Sequence, residues 1–541
     1  MSAGPQPPWS TAAPAADATV VAGLQRAAAA WRARAHADLA ALAAATAAAL
    51  VDAAPELVTA SAEAKWGRDD DEVLAEEWAS GPLPPARLLR LLHGLHTGLA
   101  AGRLPSPRVV RAPLLAPAAG ERAFAALPAP SGGTFDRLLF AGYRAEVHAA
   151  ERGAEAPPRR GDVAVVLGAG NVVATPLCDV LHQVFLEGRA VWLKLSPLQA
   201  ALREHVARAL QPLLAAGLLA IEVGDGARGA AMARHAGIAA VHLTGALGTW
   251  RALREDAALA GKALTAEVGC CSPVLVVPGR WRDAELRHVA VQLAAFVAVN
   301  GGATCLAPRL LLTCADWPQR AELLRLLRAA LAAHAPRVPF HAGAAEAYAA
   351  ASGAPSATAA LSPCLRDGLD VRRDAALFAR EHFAPVLLEA PLVASDAAQF
   401  CSGATTLVRE HVYGALTAML FAPPRVLANE RAAVAVAVAA LPHGAVVING
   451  WAGLAYGLGT SPWGVPPDAD VEHGRGFTRG ALALAAPRRV IVAAPFRPRP
   501  LPPWLPAHRR GAAALAALTR LYAAPGLGRL AAVMGAALRS W

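Results

Sequence analysis

The sequence predicts an α/β protein in which a doubly wound nucleotide-binding unit precedes a second α/β unit, with helical segments added at both ends. Three observations predict it. From Gly161 onward, short apolar strands alternate with helices, and the same alternation restarts near Pro273. Asn171, Lys194 and Thr244 fall at or just past strand ends, where sheets of this kind bind ligands.

Taken in order, Thr19 to Leu57 and Ala86 to Leu99 are Ala/Leu-rich with arginine or polar residues at helical intervals, which predicts amphipathic helices packed on a larger body. Between Pro105 and Pro130 periodicity fades, predicting a connecting stretch. Tyr143 to His148 alternates Tyr, Ala and Val with Arg, Glu and His, a strand with one wet face. The nucleotide-binding unit is then predicted as strands over 162–167, 190–193, 220–223 and 239–243, separated by helices over 175–187, 198–215 and 227–235. The second unit is predicted as strands at 275–277, 310–313, 385–389, 417–421 and 445–449, with helices over 283–299 and 320–334. A Pro-rich stretch from Phe496 leads into a basic Ala/Leu helical tail broken at Pro525, expected to pack on the body or on another subunit. The chain therefore divides into a helical segment (1–110), a nucleotide-binding domain (111–272, with 140–152 as an oligomerisation strand), a catalytic domain (273–480) and a closing strand with its tail (481–541).

Hydrophobic residues make up 55% of the 541, enough for several packed cores and against disorder. The formal charge of +10 comes from arginines dispersed along helices, without zinc-finger spacing or a basic-aromatic strip, so nucleic acid is not an expected partner. A positive surface suits small anionic ligands better. The first 18 residues lack a basic start followed by an apolar run, and no long apolar stretch free of charge and turn formers is present, so a cytoplasmic protein without an integral membrane segment is expected. Seven cysteines at irregular spacing fit free thiols rather than a disulfide framework, and no metal site is expected.

Cys305 follows Asn300-Gly-Gly-Ala-Thr304 on a small-residue loop between a helix and a strand. There backbone N–H groups can stabilise a thiolate, although a buried structural thiol fits the same local pattern. Glu267, in Leu264-Thr-Ala-Glu-Val-Gly269, has nearly apolar neighbours; burial would raise its pKa and make it a proton acceptor near neutrality, and a salt bridge at an element edge is the alternative. Thr244, Gly245 and Ala246 open a Gly-containing turn between strand and helix whose N–H groups can meet a pyrophosphate. Neither this turn nor Gly168-Ala-Gly170 is a full dinucleotide fingerprint.

The order of these segments resembles the aldehyde dehydrogenase superfamily over roughly residues 130–495. Leu167-Gly-Ala-Gly-Asn171 stands where the family has its Trp-Asn segment, and Leu193-Lys-Leu-Ser-Pro197 resembles its Leu-Lys-Pro-Ala-Glu element. Leu243-Thr-Gly-Ala246, Ala266-Glu-Val-Gly269, Gly301 to Cys305 and Glu381-His-Phe-Ala-Pro-Val386 resemble, in turn, its Phe-Thr-Gly-Ser, Leu-Glu-Leu-Gly, nucleophile-loop and Glu-Ile-Phe-Gly-Pro-Val elements. Tyr413 to Ala418 and Val447-Ile-Asn449 to Pro462-Trp-Gly464 continue the match.

The resemblance implies an enzyme that oxidises a small-molecule aldehyde to an acid with NADP or NAD, as a homo-oligomer with a dimer favoured. It implies Cys305 as nucleophile, Glu267 as base for thioester hydrolysis and Asn171 as oxyanion donor. Lys194, Ser196, Thr244, Gly245, Ala246, Glu381 and Phe383 would bind the cofactor, with Lys194 and Glu381 on ribose hydroxyls and Phe383 beside the nicotinamide. The chain departs from the family at Pro197, where a ribose-binding glutamate is usual; this favours NADP or relaxes a preference for NAD. Ala246 lacks the usual serine hydroxyl, and Trp250 replaces a glycine where an indole can obstruct the pyrophosphate. Two further readings stay open: an acyl-thioester reductase, disfavoured by retention of Glu267, and a catalytically silent protein of this fold. Trp451 to Tyr456 and Val465 to Pro467 are expected at the substrate entrance, leaning toward a medium or long chain or aromatic aldehyde.

Overall fold

A computed structural model describes residues 14–129, 133–354, 359–466, 474–505 and 508–538. Pro467, expected at the entrance, and the two ends of the chain lie outside them. Five consecutive aliphatic residues, Val163–Leu167, are all buried, as only a strand covered on both faces requires. The strands in chain order are β1 (Glu121–Ala125), β2 (Arg144–Ala150), β3 (Val163–Leu167), β4 (Ala190–Leu195), β5 (Leu219–Val223), β6 (Ala240–Gly245), β7 (Ala263–Val268) and β8 (Pro273–Val276). They continue as β9 (Leu310–Cys314), β10 (Cys364–Arg366), β11 (Val386–Leu392), β12 (Thr417–Phe421), β13 (Ala445–Ile448), β14 (Pro462–Val465), β15 (Gly474–Arg479) and β16 (Arg489–Ala493).

One sheet of seven strands runs β14-β15-β7-β6-β3-β4-β5, and its last five are parallel. The chain enters this parallel part at its centre, builds outward to β5, then returns to lay β6 and β7 on the other side. The strand order thus reverses between β3 and β6, and the crevice beyond their carboxyl ends is where an open α/β sheet receives a ligand. Register brings the key positions level: Lys194 pairs with Leu167, Leu167 with Leu243, and Thr244 with Glu267.

The other sheet runs β1-β2-β16-β13-β12-β8-β9-β11-β10, parallel except for β1 and β2. Here the structure departs from the expected boundaries. The connecting stretch contains β1, which pairs with β2 through Phe124 and Val147. The 140–152 segment, read as an oligomerisation strand within the nucleotide-binding unit, pairs with β1 and β16 of its own chain in this second sheet. In exchange β15, from the range read as catalytic, joins β7. The helix expected over 198–215 is instead a 3-10 turn, Pro197–Leu202, and two short helices, Arg203–Ala209 and Gln211–Ala215. Pro212 explains the second break, because it has no N–H for the preceding turn and fits only the start of a new helix.

Four helices, α1 (Pro14–Arg32), α2 (His36–Trp66), α3 (Asp71–Ser80) and α4 (Leu83–Ala100), form the amino-terminal segment. By length and composition α2 can cross a membrane, yet half of its most apolar window is buried in the protein. Leu50 and Leu57 of α2 and Leu88 and Leu89 of α4 share the core of the seven-stranded sheet. The tail helix Gly511–Ala523 packs on the same chain, where Leu515 meets Ala54, Val58 and Trp78.

Candidate active site

A cavity of about 1060 Å³ is lined from both units. Cys305, Glu267 and Asn171 border it, as do Lys194, Ser196, Thr244, Gly245 and Ala246 from the seven-stranded sheet. Glu381 and Phe383 border it from the other unit. Residues scattered over more than two hundred positions therefore share one space.

Glu267 lies at the end of β7, two residues before Gly269, where the chain crosses toward β8. Cys305 follows the helix Asp283–Ala298 and a turn in which Asn300, Gly301 and Gly302 all have left-handed backbones, with φ of 53°, 60° and 75°. The two groups meet: the Cys305 thiol donates to Glu267 Oε1 at 3.1 Å. The Trp463 indole N–H donates to Glu267 Oε2 at 2.6 Å, holding the carboxylate from behind. Burial raises the Glu267 pKa, opposed by the Arg479 guanidinium, while burial and the nearby Glu267 and Glu381 charges push the Cys305 thiol up. In this contact the thiol is the donor and the Glu267 carboxyl oxygen the acceptor.

Asn171 Nδ2 donates to Ala303 O at 3.1 Å, which spends one of its two amide hydrogens and leaves the other for a ligand. Lys194 Nζ donates to Gly224 O at 3.2 Å at the cavity wall. The Ser196 hydroxyl accepts from Leu198 N. Thr244 spends its hydroxyl on the buried Asp179, 2.9 Å away, so what its turn offers the cavity is backbone. Two helices begin at the cavity, Gly226–Arg234 and Leu247–Glu255, and Gly226 and Gly248 have open space where side chains would be. Glu381 lies directly over Gly269, where any Cβ would overlap its carboxylate. Burial, reinforced by Glu267 and opposed by Arg309, pushes Glu381 up to about 7. Phe383, itself left-handed at φ 48°, meets His341 edge to face at 5.4 Å.

Two expectations change. Trp250 does not line the cavity: its indole is 1% exposed and packs in the core beneath, while Thr249, Ala252 and Leu253 of the same helix line the wall. A nine-residue helix turns position 250 away from the face that carries 249, 252 and 253. The Trp451 to Tyr456 segment, expected at the entrance, does not line this cavity. Tyr456 is buried under the Arg479 guanidinium at 3.8 Å, and Trp451 donates to Leu306 O while stacking on Phe296. The sequence reading also passed over residues that complete the site. Trp463 was visible only as part of a Pro-Trp-Gly segment, and Phe340, His341 and Arg234 carried no local signal.

A parallel sheet with a reversal crevice, facing a second α/β unit that delivers a thiol beside a carboxylate, defines an α/β fold of the aldehyde dehydrogenase type. Residues 163–334 match the aldehyde dehydrogenase family profile. The matched segment runs from β3 through β9, and the fold as a whole is of the aldehyde dehydrogenase type. Among curated proteins none matches it by sequence. A putative aldehyde dehydrogenase from Burkholderia cenocepacia is similar in structure, with TM-score 0.61, 20% identity, and 88% of this chain and 91% of that one covered. The aldehyde dehydrogenase KauB from Pseudomonas aeruginosa gives 0.62 at 17% identity, covering 87% and 86%. The NADP-dependent glyceraldehyde-3-phosphate dehydrogenase from Bacillus halodurans, solved with NADP, gives 0.60 at 18% identity, covering 88% and 91%.

Proposed function

We propose that the protein oxidises an aldehyde to a carboxylic acid with NADP or NAD, and that Cys305, Glu267 and Asn171 carry the chemistry. The thiol-to-carboxylate contact of 3.1 Å inside a cavity edged by two helix N-termini is the observation that carries this reading. The cavity suits a dinucleotide: its volume is at the top of the usual range for ligand sites, roughly 300–1,000 Å³, and Gly226 and Gly248 put no side chain between the two helix N-termini and a phosphate. Structurally similar proteins solved with NAD or NADP support the same cofactor class. Lys194 and Ser196 would hold the adenosine ribose, the Thr244-Gly245-Ala246 turn the diphosphate, and Glu381 and Phe383 the nicotinamide end.

When bound, the cofactor supplies the hydride acceptor. Glu267 takes the Cys305 proton, and the sulfur attacks the aldehyde carbon to form a thiohemiacetal. Its oxygen is held by the free Asn171 amide hydrogen and the Cys305 backbone N–H. Oxidation leaves a thioester on Cys305. Glu267, its proton returned to solvent, then removes a proton from water; the hydroxide displaces the thiolate, giving the acid and restoring Cys305. Retention of Glu267 for this last step sets the reading above thioester reduction. The test is absorbance at 340 nm with aldehydes and oxidised cofactor. Cys305→Ser is expected to abolish the signal, and Glu267→Gln to leave at most one turnover per site; full steady-state turnover by either variant would refute the assignment.

A further inference from the structure

We propose that the carboxyl-terminal end of α2 latches the nucleophile loop from outside both α/β units, with Lys65 as the positioning residue. The inference rests on reading Cys305 as the nucleophile. Three successive left-handed residues, 300–302, precede Cys305; asparagine tolerates such a backbone, and the surroundings of Asn300 fix both its amide and its N–H. Those surroundings come from α2 and α3. Lys65 Nζ donates to Asn300 Oδ1 at 3.2 Å, and Asn300 N donates to Glu76 Oε2 at 3.1 Å. Any Cβ at Gly301 would stand 2.9 Å from the Trp66 ring.

Lysine has only donors, so it selects the oxygen of the Asn300 amide and turns the NH₂ the other way. There it donates to Ala303 O at 2.8 Å and Asn171 O at 3.2 Å. Ala303 O is also the acceptor for the Asn171 side chain, so the latch reaches the nucleophile and the oxyanion donor together. Lys65 is held in turn by both oxygens of Glu77, at 2.8 and 3.0 Å, and Glu77 accepts from Ser61 at 2.7 Å. The Lys65 and Glu77 side chains are 8% and 1% exposed. Burying such a pair is costly, and conformational specificity is what it can return.

Removing Lys65 alone would strand Glu77, so the test uses Lys65→Met with Glu77→Gln, which keeps volume and the Ser61 hydrogen bond. Asn300→Gly is the second variant, since glycine holds the left-handed turn without strain and lacks the amide. The readouts are the rate of Cys305 alkylation by iodoacetamide, followed by peptide mass spectrometry, together with kcat and the Kd of NAD and NADP. Released from Glu267 and its enclosure, the thiol is expected to alkylate several-fold faster in both variants. We expect kcat to fall by about 100-fold, the scale of an ångström-sized misplacement, with cofactor affinity unchanged. Lys65→Arg, which also offers only donors, should recover most of the loss. Alkylation at the wild-type rate in folded Lys65→Met/Glu77→Gln or in Asn300→Gly overturns the latch. The alkylation arm needs no turnover, so a wild-type protein inactive on every aldehyde refutes the dehydrogenase reading while still deciding this one.

Discussion

A carboxylate as buried as Glu267 must satisfy both oxygens, and here one meets the Cys305 thiol and the other the Trp463 indole. Trp463→Phe keeps the ring and deletes the donor. A hydrogen bond to a charged group contributes about 1.5–3 kcal/mol, so the water-activation step should slow by roughly ten- to hundred-fold. The first turnover would survive, and pre-steady-state kinetics would show it; unchanged steady-state turnover would remove the indole from this role. Glu381 offers a pH test. Its folded pKa of about 7 lies above the ordinary carboxyl value of 4.5, so its contribution to stability is complete below that value and is lost as pH rises through about 7. Thermal unfolding midpoints should fall across that window in the wild type, and Glu381→Gln should flatten the decline. Parallel curves would place its titration elsewhere.

At the level of elements, the loop that precedes Cys305 depends on absent side chains. Gly302 has φ 75° and lies against the Ala384–Pro385 peptide, which a methyl group would overlap. The left-handed backbone alone costs a residue other than glycine of order 1–3 kcal/mol, so Gly302→Ala should lower the thermal midpoint and separate Cys305 from Glu267. A variant with wild-type midpoint and alkylation rate would show that the loop tolerates repositioning. Arg309 reinforces this loop by donating to the carbonyls of Gly302, Thr304 and Ala384. Individual strands were the most legible elements: Thr417–Phe421 stands where the apolar run places it, because five buried residues bounded by turn formers have few alternatives. The 198–215 helix was misread because apolar spacing continues through Pro212 while backbone chemistry does not.

Across the whole molecule, the alternation of buried strands with helices and the positions of Asn171, Lys194, Thr244, Glu267 and Cys305 were readable along the chain. Burial and turn chemistry act over a few residues and so leave a local trace. Sheet membership left none: β1 and β2 join the second sheet and β15 joins the first, since an antiparallel partner is chosen by space rather than by periodicity. Trp250 looked like an obstruction until helix phase turned it into the core. Lys65 and Asn300, 235 positions apart, touch through an amide whose orientation no pattern encodes. Local chemistry marked which residues are candidates to react and most of the segments that are strand or helix, whereas packing between distant segments decided which of them meet, because a contact of a few ångströms between remote positions belongs to the folded chain alone.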